Sequence, residues 1–221
     1  MRKLTFLAAL LVAASAHAQS LDDVVSNVIK EYGGKAAWAK VTSLRETGTV
    51  VPVMRKGDGK LTRTWQGPGK LNVEIVYPTN TEVRVVDGDH GTRNGTEVTG
   101  GNLDGMKLQA ARLELPMLLD TKHASLKDLG VVEGNRAIEI PLSATLTLTV
   151  SIDTKTWHIL RSSGKAAPLE FVVDYSDFRR VGGLLFPFAE AGMAQGTPTA
   201  NTKLDAIVIN APATPPPPAA K

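Results

Sequence analysis

The chain contains no cysteine. That excludes disulfides and also the lipid-modified N-terminal cysteine of a bacterial lipoprotein, so stability has to come from a hydrophobic core of useful size. Charge of one sign is missing too: 25 basic residues face 22 acidic ones. Arg2 and Lys3 belong to the extreme N-terminus and the other basic residues are scattered, which argues against a nucleic-acid partner. Long apolar runs are lacking after the first, Leu4 to Ala14, and that one is too short for a comfortable membrane span. With Arg2 and Lys3 before it and Ala16-His17-Ala18 after it, the run reads as a secretory signal peptide, residues 1–18, cleaved after Ala18. The rest, about 200 residues, suits one domain with no membrane span.

Catalytic signatures are equally scarce. There is no Gly-x-Ser-x-Gly, no phosphate-binding loop and no Gly-x-Gly-x-x-Gly. Ser162-Ser163-Gly164-Lys165 has the bare Ser-x-x-Lys spacing of serine acylases, but it follows a strand pattern where that chemistry needs a helix start. His90, His123 and His158 are far apart, and Asp87-Gly88-Asp89-His90 lacks the remaining ligands of a calcium loop and reads as a hairpin turn. The expectation is a protein that is not an enzyme and uses neither cofactor nor metal.

What the chain does have is β-pattern. In Thr145 to Arg161, Leu146, Leu148, Val150 and Ile152 alternate with Thr147, Thr149 and Ser151. Asp153 to Thr156 then supplies a polar turn, and Trp157, Ile159 and Leu160 begin a return strand. Such a hairpin needs further strands or a helix to cover its apolar face. Leu21 to Tyr32 reads as an amphipathic helix closed by Gly33-Gly34, and Lys35 to Val41 adds a turn or two around Trp38. Strand-like stretches follow at 44–54, 61–66, 71–77, 82–86 and 91–98, separated by Gly-, Pro- and Asp-rich turns. Leu103 to Asp120 is the long helical pattern of the body, with a kink or a second short helix expected at Pro116. β-pattern resumes at Val131 and runs to Asn210, with Pro187 marking an edge or a bulge. Residues 211–221, with Pro215 to Pro218, read as a disordered or polyproline II tail after a single domain at 19–210.

About eleven strands with two or three helices imply an α+β fold. The preferred packing is one strongly curved, unclosed antiparallel β-barrel with helices as a lid over its concave face, and a compact two-layer domain competes with it. Three stretches, in this order, resemble a known family. Tyr32-Gly33-Gly34, Trp38 and Val41 to Gly48 form the first, and Ile152 to Trp157 with Ile159-Leu160-Arg161 the second. Tyr175 to Phe178, Gly182-Gly183, Phe186-Pro187 and Ile207 to Asn210 form the third. Together they are similar to LolA/LolB-like periplasmic proteins, related to the outer-membrane lipoprotein-sorting carriers. The resemblance implies a periplasmic location and an apolar cavity between lid and barrel that accommodates acyl chains; related domains sense lipoproteins in envelope-stress regulation.

On that footing the expected function is a soluble periplasmic binder or carrier of a lipophilic ligand, either lipoprotein acyl chains or a lipid. The alternative is a non-catalytic envelope module whose partner is another envelope protein. Expected cavity-lining residues are Trp65, Val73, Ile75, Met106, Leu113, Met117, Leu148, Val150 and Phe171, methionine being adaptable to flexible chains. Each of them equally suits a dry core. Arg45, Arg63 and Arg84 all lie in strand-like segments, and none is singled out as a ligand contact.

Overall fold

Ser20 starts the first helix. Its hydroxyl accepts the Asp23 N–H at 3.1 Å, and Asp22 and Asp23 sit in the first turn, where the helix dipole favours negative charge. Helix α1 (Leu21–Glu31) buries Val24, Val25 and Val28 on one face. Gly33 follows at φ 109°, and a Cβ there would meet Leu184 Cδ2 at 2.6 Å, so both backbone and space require glycine. The short helix α2 (Lys35–Trp38) places Trp38, whose indole N–H donates to the Tyr32 carbonyl at 2.9 Å and whose ring packs edge-on to Phe186. The computed structural model describes residues 19–212. The expected signal peptide and nearly all of the expected tail lie outside the described residues.

Two meanders make one sheet. The first runs through β1 (Leu44–Pro52), β2 (Gly59–Trp65), β3 (Lys70–Val76), β4 (Thr81–Asp87), β5 (His90–Arg93) and β6 (Thr96–Glu97). The second runs through β7 (Lys127–Val132), β8 (Asn135–Pro141), β9 (Thr147–Ile152), β10 (Ile159–Ala166), β11 (Leu169–Val181), β12 (Leu184–Ala194) and β13 (Thr197–Ile209). β13 returns to pair antiparallel with β1, giving a 13-stranded sheet with the order β6-β5-β4-β3-β2-β1-β13-β12-β11-β10-β9-β8-β7. β6 and β7 are its two edges, so the curved sheet does not close. The count of about eleven is thus corrected to thirteen among the described residues. The 91–98 stretch breaks at Asn94-Gly95 into β5 and β6, and β7 is an exposed edge strand without the alternation that betrays a half-buried one.

Between the meanders the chain crosses from one edge to the other through α3 (Gly100–Arg112) and α4 (Leu115–Thr121), with Pro116 in the first turn of α4. α3 packs against β10 on one wing and against β4 and β5 on the other, so it bridges the concave face. Three glycines permit that approach. A Cβ on Gly101 would meet the Ala167 carbonyl at 2.2 Å, one on Gly105 the Phe171 ring at 3.5 Å, and one on Gly164 the Leu108 side chain at 2.5 Å. Pro187 sits where β12 pairs with β11 alone, because the β12–β13 ladder begins only at Ala189. Trp38 and Tyr32 pack over that local edge.

The β9–β10 hairpin follows the expected pattern, with Leu148, Val150 and Ile152 fully buried. Asp153 organises its turn: one carboxylate oxygen accepts the Lys155 N–H at 2.9 Å and the other the Thr156 hydroxyl at 2.8 Å. The Tyr32 hydroxyl accepts the Ile159 N–H at 3.0 Å beside the register shift that begins β10.

Candidate functional site

Beneath α3 lies a cavity of about 560 Å3. Gly101, Asn102, Gly105, Met106, Gln109 and Arg112 form its roof, all on one stripe of α3 at helical spacing. Leu108, Ala110 and Ala111 on the other faces are buried in the core. The floor comes from inward-facing residues of both meanders, among them Val50, Leu61, Ile75, Phe171 and Val173. Arg93 and Leu169, both exposed, stand where the cavity meets the surface. A smaller cavity of about 40 Å3 lies under Leu113, Leu115 and Pro116, and Arg112 and Glu190 line both spaces.

The polar lining is the unexpected part. Strand register puts Glu46, Arg63, Val73, Arg84 and Arg93 in one row across β1 to β5. Directly opposed residues share a face of the sheet, so this row faces the cavity side. Arg63 is buried, donating from Nε to Glu46 at 2.5 Å and from both terminal nitrogens to Glu190 at 3.2 and 2.7 Å. Burial pushes the Glu46 carboxyl up, and the second carboxylate at Glu190 adds to this. Burial acts against the Arg63 charge, but its two carboxylates outweigh that and hold it cationic. Arg84 donates to Gln109 Oε1 at 2.9 Å; its Nε lies 3.1 Å from Glu82 yet makes no aligned hydrogen bond. Arg112 Nε donates to Ser162 Oγ at 2.9 Å and Nη2 to the Phe171 carbonyl at 3.0 Å. Ser162 Oγ and Tyr175 Oη lie 2.7 Å apart, and burial pushes the Tyr175 phenol up to about 12.

The residues expected to line a cavity fall into two groups. Ile75, Met106 and Phe171 line the large cavity and Leu113 the small one. Trp65, Val73, Leu148 and Val150 are buried in the core and line neither; half-buried Met117 packs against that core from α4. Trp65 has a structural task, its indole N–H donating to Glu114 at 2.8 Å where the same carboxylate oxygen also accepts the Gly69 N–H. Sequence reasoning passed over Gln109, Arg112 and Glu190. A parity signal is present for two of the inward charges: Glu46 shares the parity of buried Leu44 and Val50, and Arg63 that of buried Leu61 and Trp65. Among the described residues no group of three or more His, Asp or Glu side chains is placed to hold a metal ion. Ser162 and Lys165, three apart on a strand, point to opposite faces. No helix among the described residues is long and apolar enough to cross a membrane.

No family profile matches this sequence, and no curated protein sequence does. Solved structures do match. A LolA superfamily protein from Nitrosomonas europaea superposes with a TM-score of 0.53 at 8% identity, over 86% of this chain and 93% of that one. A DUF1329 family protein from Desulfovibrio piger gives a TM-score of 0.47 at 6% identity, over 88% of this chain and 95% of that one. With the unclosed antiparallel sheet and the helix across its concave face, the first of these likenesses identifies the fold of this chain as LolA-like.

Proposed function

We propose that this protein is an exported, non-catalytic binder or carrier of a lipophilic ligand, such as a lipid or the acyl chains of a lipoprotein. The observation that carries the reading is the cavity of about 560 Å3 between α3 and the sheet, a size within the range of about 300–1,000 Å3 usual for ligand pockets. The LolA-like fold and the N-terminal sequence pattern support it. Each methylene taken out of water contributes about 0.8 kcal/mol, so a chain laid along Met106, Ile75 and Phe171 binds usefully through apolar contact.

Native mass spectrometry of the protein purified from cells, paired with lipid extraction, tests this. A co-purifying acylated species is expected, and Gly105→Leu removes it. The leucine Cβ would touch the Phe171 ring at 3.5 Å, an ordinary contact, so the rest of the side chain occupies the cavity, and it replaces a helical glycine, a change worth up to about 1 kcal/mol in helix stability. The variant should therefore melt no earlier than the wild type while its cavity is filled. A clean apo mass with no uptake of added lipids or lipopeptides overturns the reading. The second reading, a module that binds another envelope protein, then takes its place; it is favoured by edge strand β7, where Val131 is 67% and Val132 49% exposed.

A further inference from the structure

We propose that the cavity holds an anion subsite, in which Arg112 and Arg84 receive the carboxylate or phosphate head of an amphiphile whose chain extends past Met106 and Phe171. This rests on the ligand-binding reading above and adds the chemical class of the ligand. Four guanidinium groups line the cavity, those of Arg63, Arg84, Arg93 and Arg112, and three carboxylates are paired with them. Glu46 and Glu190 are both taken by Arg63, and Glu82 is shared by Arg84 and Arg93. Arg112 has no carboxylate within 4.0 Å among the described residues; its hydrogen-bond partners are a hydroxyl and a carbonyl. A largely buried cation with only neutral partners is costly, and an arriving anion offsets that cost.

The geometry suits one head group. Gln109, which holds Arg84, lies one helical turn before Arg112, and both guanidinium groups line the one cavity, Arg84 from the sheet and Arg112 from the helix. Arg112 uses two of its N–H groups on Ser162 and Phe171, and a guanidinium carries five, leaving donors for a planar or tetrahedral oxyanion. Burial lowers the pKa of Arg112 and of Arg84; Tyr175 and Glu190 act the other way on Arg112 and Glu82 on Arg84, but neither group is brought back to its ordinary value, and the nearby Arg63 charge works against both. Glu190 does not compete for the subsite because both its oxygens are held by Arg63. Met106, Ile75 and Phe171 line the same cavity and give the chain its place.

Isothermal titration of the mature protein with dodecanoate, dodecyl phosphate and dodecanol tests the subsite. At least one anion should bind about tenfold or more tightly than dodecanol, the scale of a charge-assisted hydrogen bond. Arg112→Met should erase most of that difference while leaving dodecanol within about twofold, and Arg112→Lys should keep part of it. Thermal melting checks that the variants fold; Arg84→Met, which spares the Ser162 and Phe171 contacts, serves as the second variant and should also narrow the gap. Dodecanol binding as tightly as both anions overturns the subsite and leaves the binder reading standing. Preference for the anions that survives in Arg112→Met and Arg84→Met alike overturns it as well. If none of the three compounds binds, both readings fail.

Discussion

Arg63 is a single buried cation between two carboxylates, and that ratio sets how the middle of the sheet responds to pH. Burial, with Glu190 adding to it, raises the Glu46 pKa in the folded state above its unfolded value. The folded chain therefore holds that proton more tightly than the unfolded chain does. The contribution of this group to stability is complete below the ordinary carboxylate range and is lost as pH rises through the raised value. Glu46→Gln keeps an uncharged acceptor for Arg63 Nε and removes the ionisation. The melting temperature of the wild type should fall more between pH 5 and pH 8 than that of Glu46→Gln, by about 2–4 °C for each ~1 kcal/mol involved. Melts at the two pH values that shift in parallel for both proteins would show Glu46 ionised throughout. Glu190 differs because its carboxylate takes two N–H groups of Arg63, and losing it would leave Arg63 over-exposed to burial.

Helix α3 is held close to the sheet by glycine, and its two cavity-side glycines make opposite predictions. A Cβ on Gly105 would make ordinary contact with the Phe171 ring at 3.5 Å and meets no backbone atom, so a side chain there is expected to extend into the cavity without a backbone clash. Gly101 faces the Ala167 carbonyl, which a Cβ would meet at 2.2 Å, and a backbone atom has little room to give. Gly101→Ala gains about 1 kcal/mol of helix propensity and loses roughly 1–3 kcal/mol to overpacking, so the melting temperature should drop and α3 should lift from the β10–β11 hairpin. Hydrogen exchange along 101–112 reads the lift, and unchanged protection with an unchanged melt would sink the idea. Both α3 and its break before Pro116 are legible in the sequence because they depend on local period and local chemistry. The same holds for the β9–β10 hairpin, whose alternation and Asp153 turn are written within 15 or so residues. Edge strand β7 is not legible, since among the described residues Leu129, Val131 and Val132 are exposed and leave no half-buried alternation. The arginine row is hidden for another reason: Arg63, Arg84 and Arg93 come together only through strand register, which no single stretch encodes. Among the residues expected at the cavity, Val73, Leu148 and Val150 are strong β-pattern positions, and those are the ones that a curved sheet buries most completely.

At the scale of the molecule the two meanders depend on one seam. β1 and β13 join residues 148 to 165 positions apart, from Pro52 with Ala200 to Leu44 with Ile209, so the sheet is complete only when the ends of the domain have met. Gly48 sits at the register shift of that seam, where a Cβ would lie 2.2 Å from the Lys203 carbonyl oxygen and 2.8 Å from Leu204 Cα. Both obstacles are backbone, and Leu204 is itself buried in the core, so the strands have to part if the glycine is filled. Gly48→Ala should destabilise the domain by about 1–3 kcal/mol. Because α3 grips both wings, the loss should appear as one cooperative transition with a lowered midpoint rather than as separate melting of the two halves. Val208→Thr, at an exposed position on the same strand, should change stability by no more than about 0.5 kcal/mol and serves as the control. Urea unfolding followed by both tryptophan fluorescence and far-ultraviolet circular dichroism decides it, since Trp65 reports on the first meander and Trp157 on the turn between β9 and β10. Coincident curves shifted to lower urea for Gly48→Ala are the expected result. Curves that separate would mean that the meanders fold as independent halves and that the seam only brings them side by side.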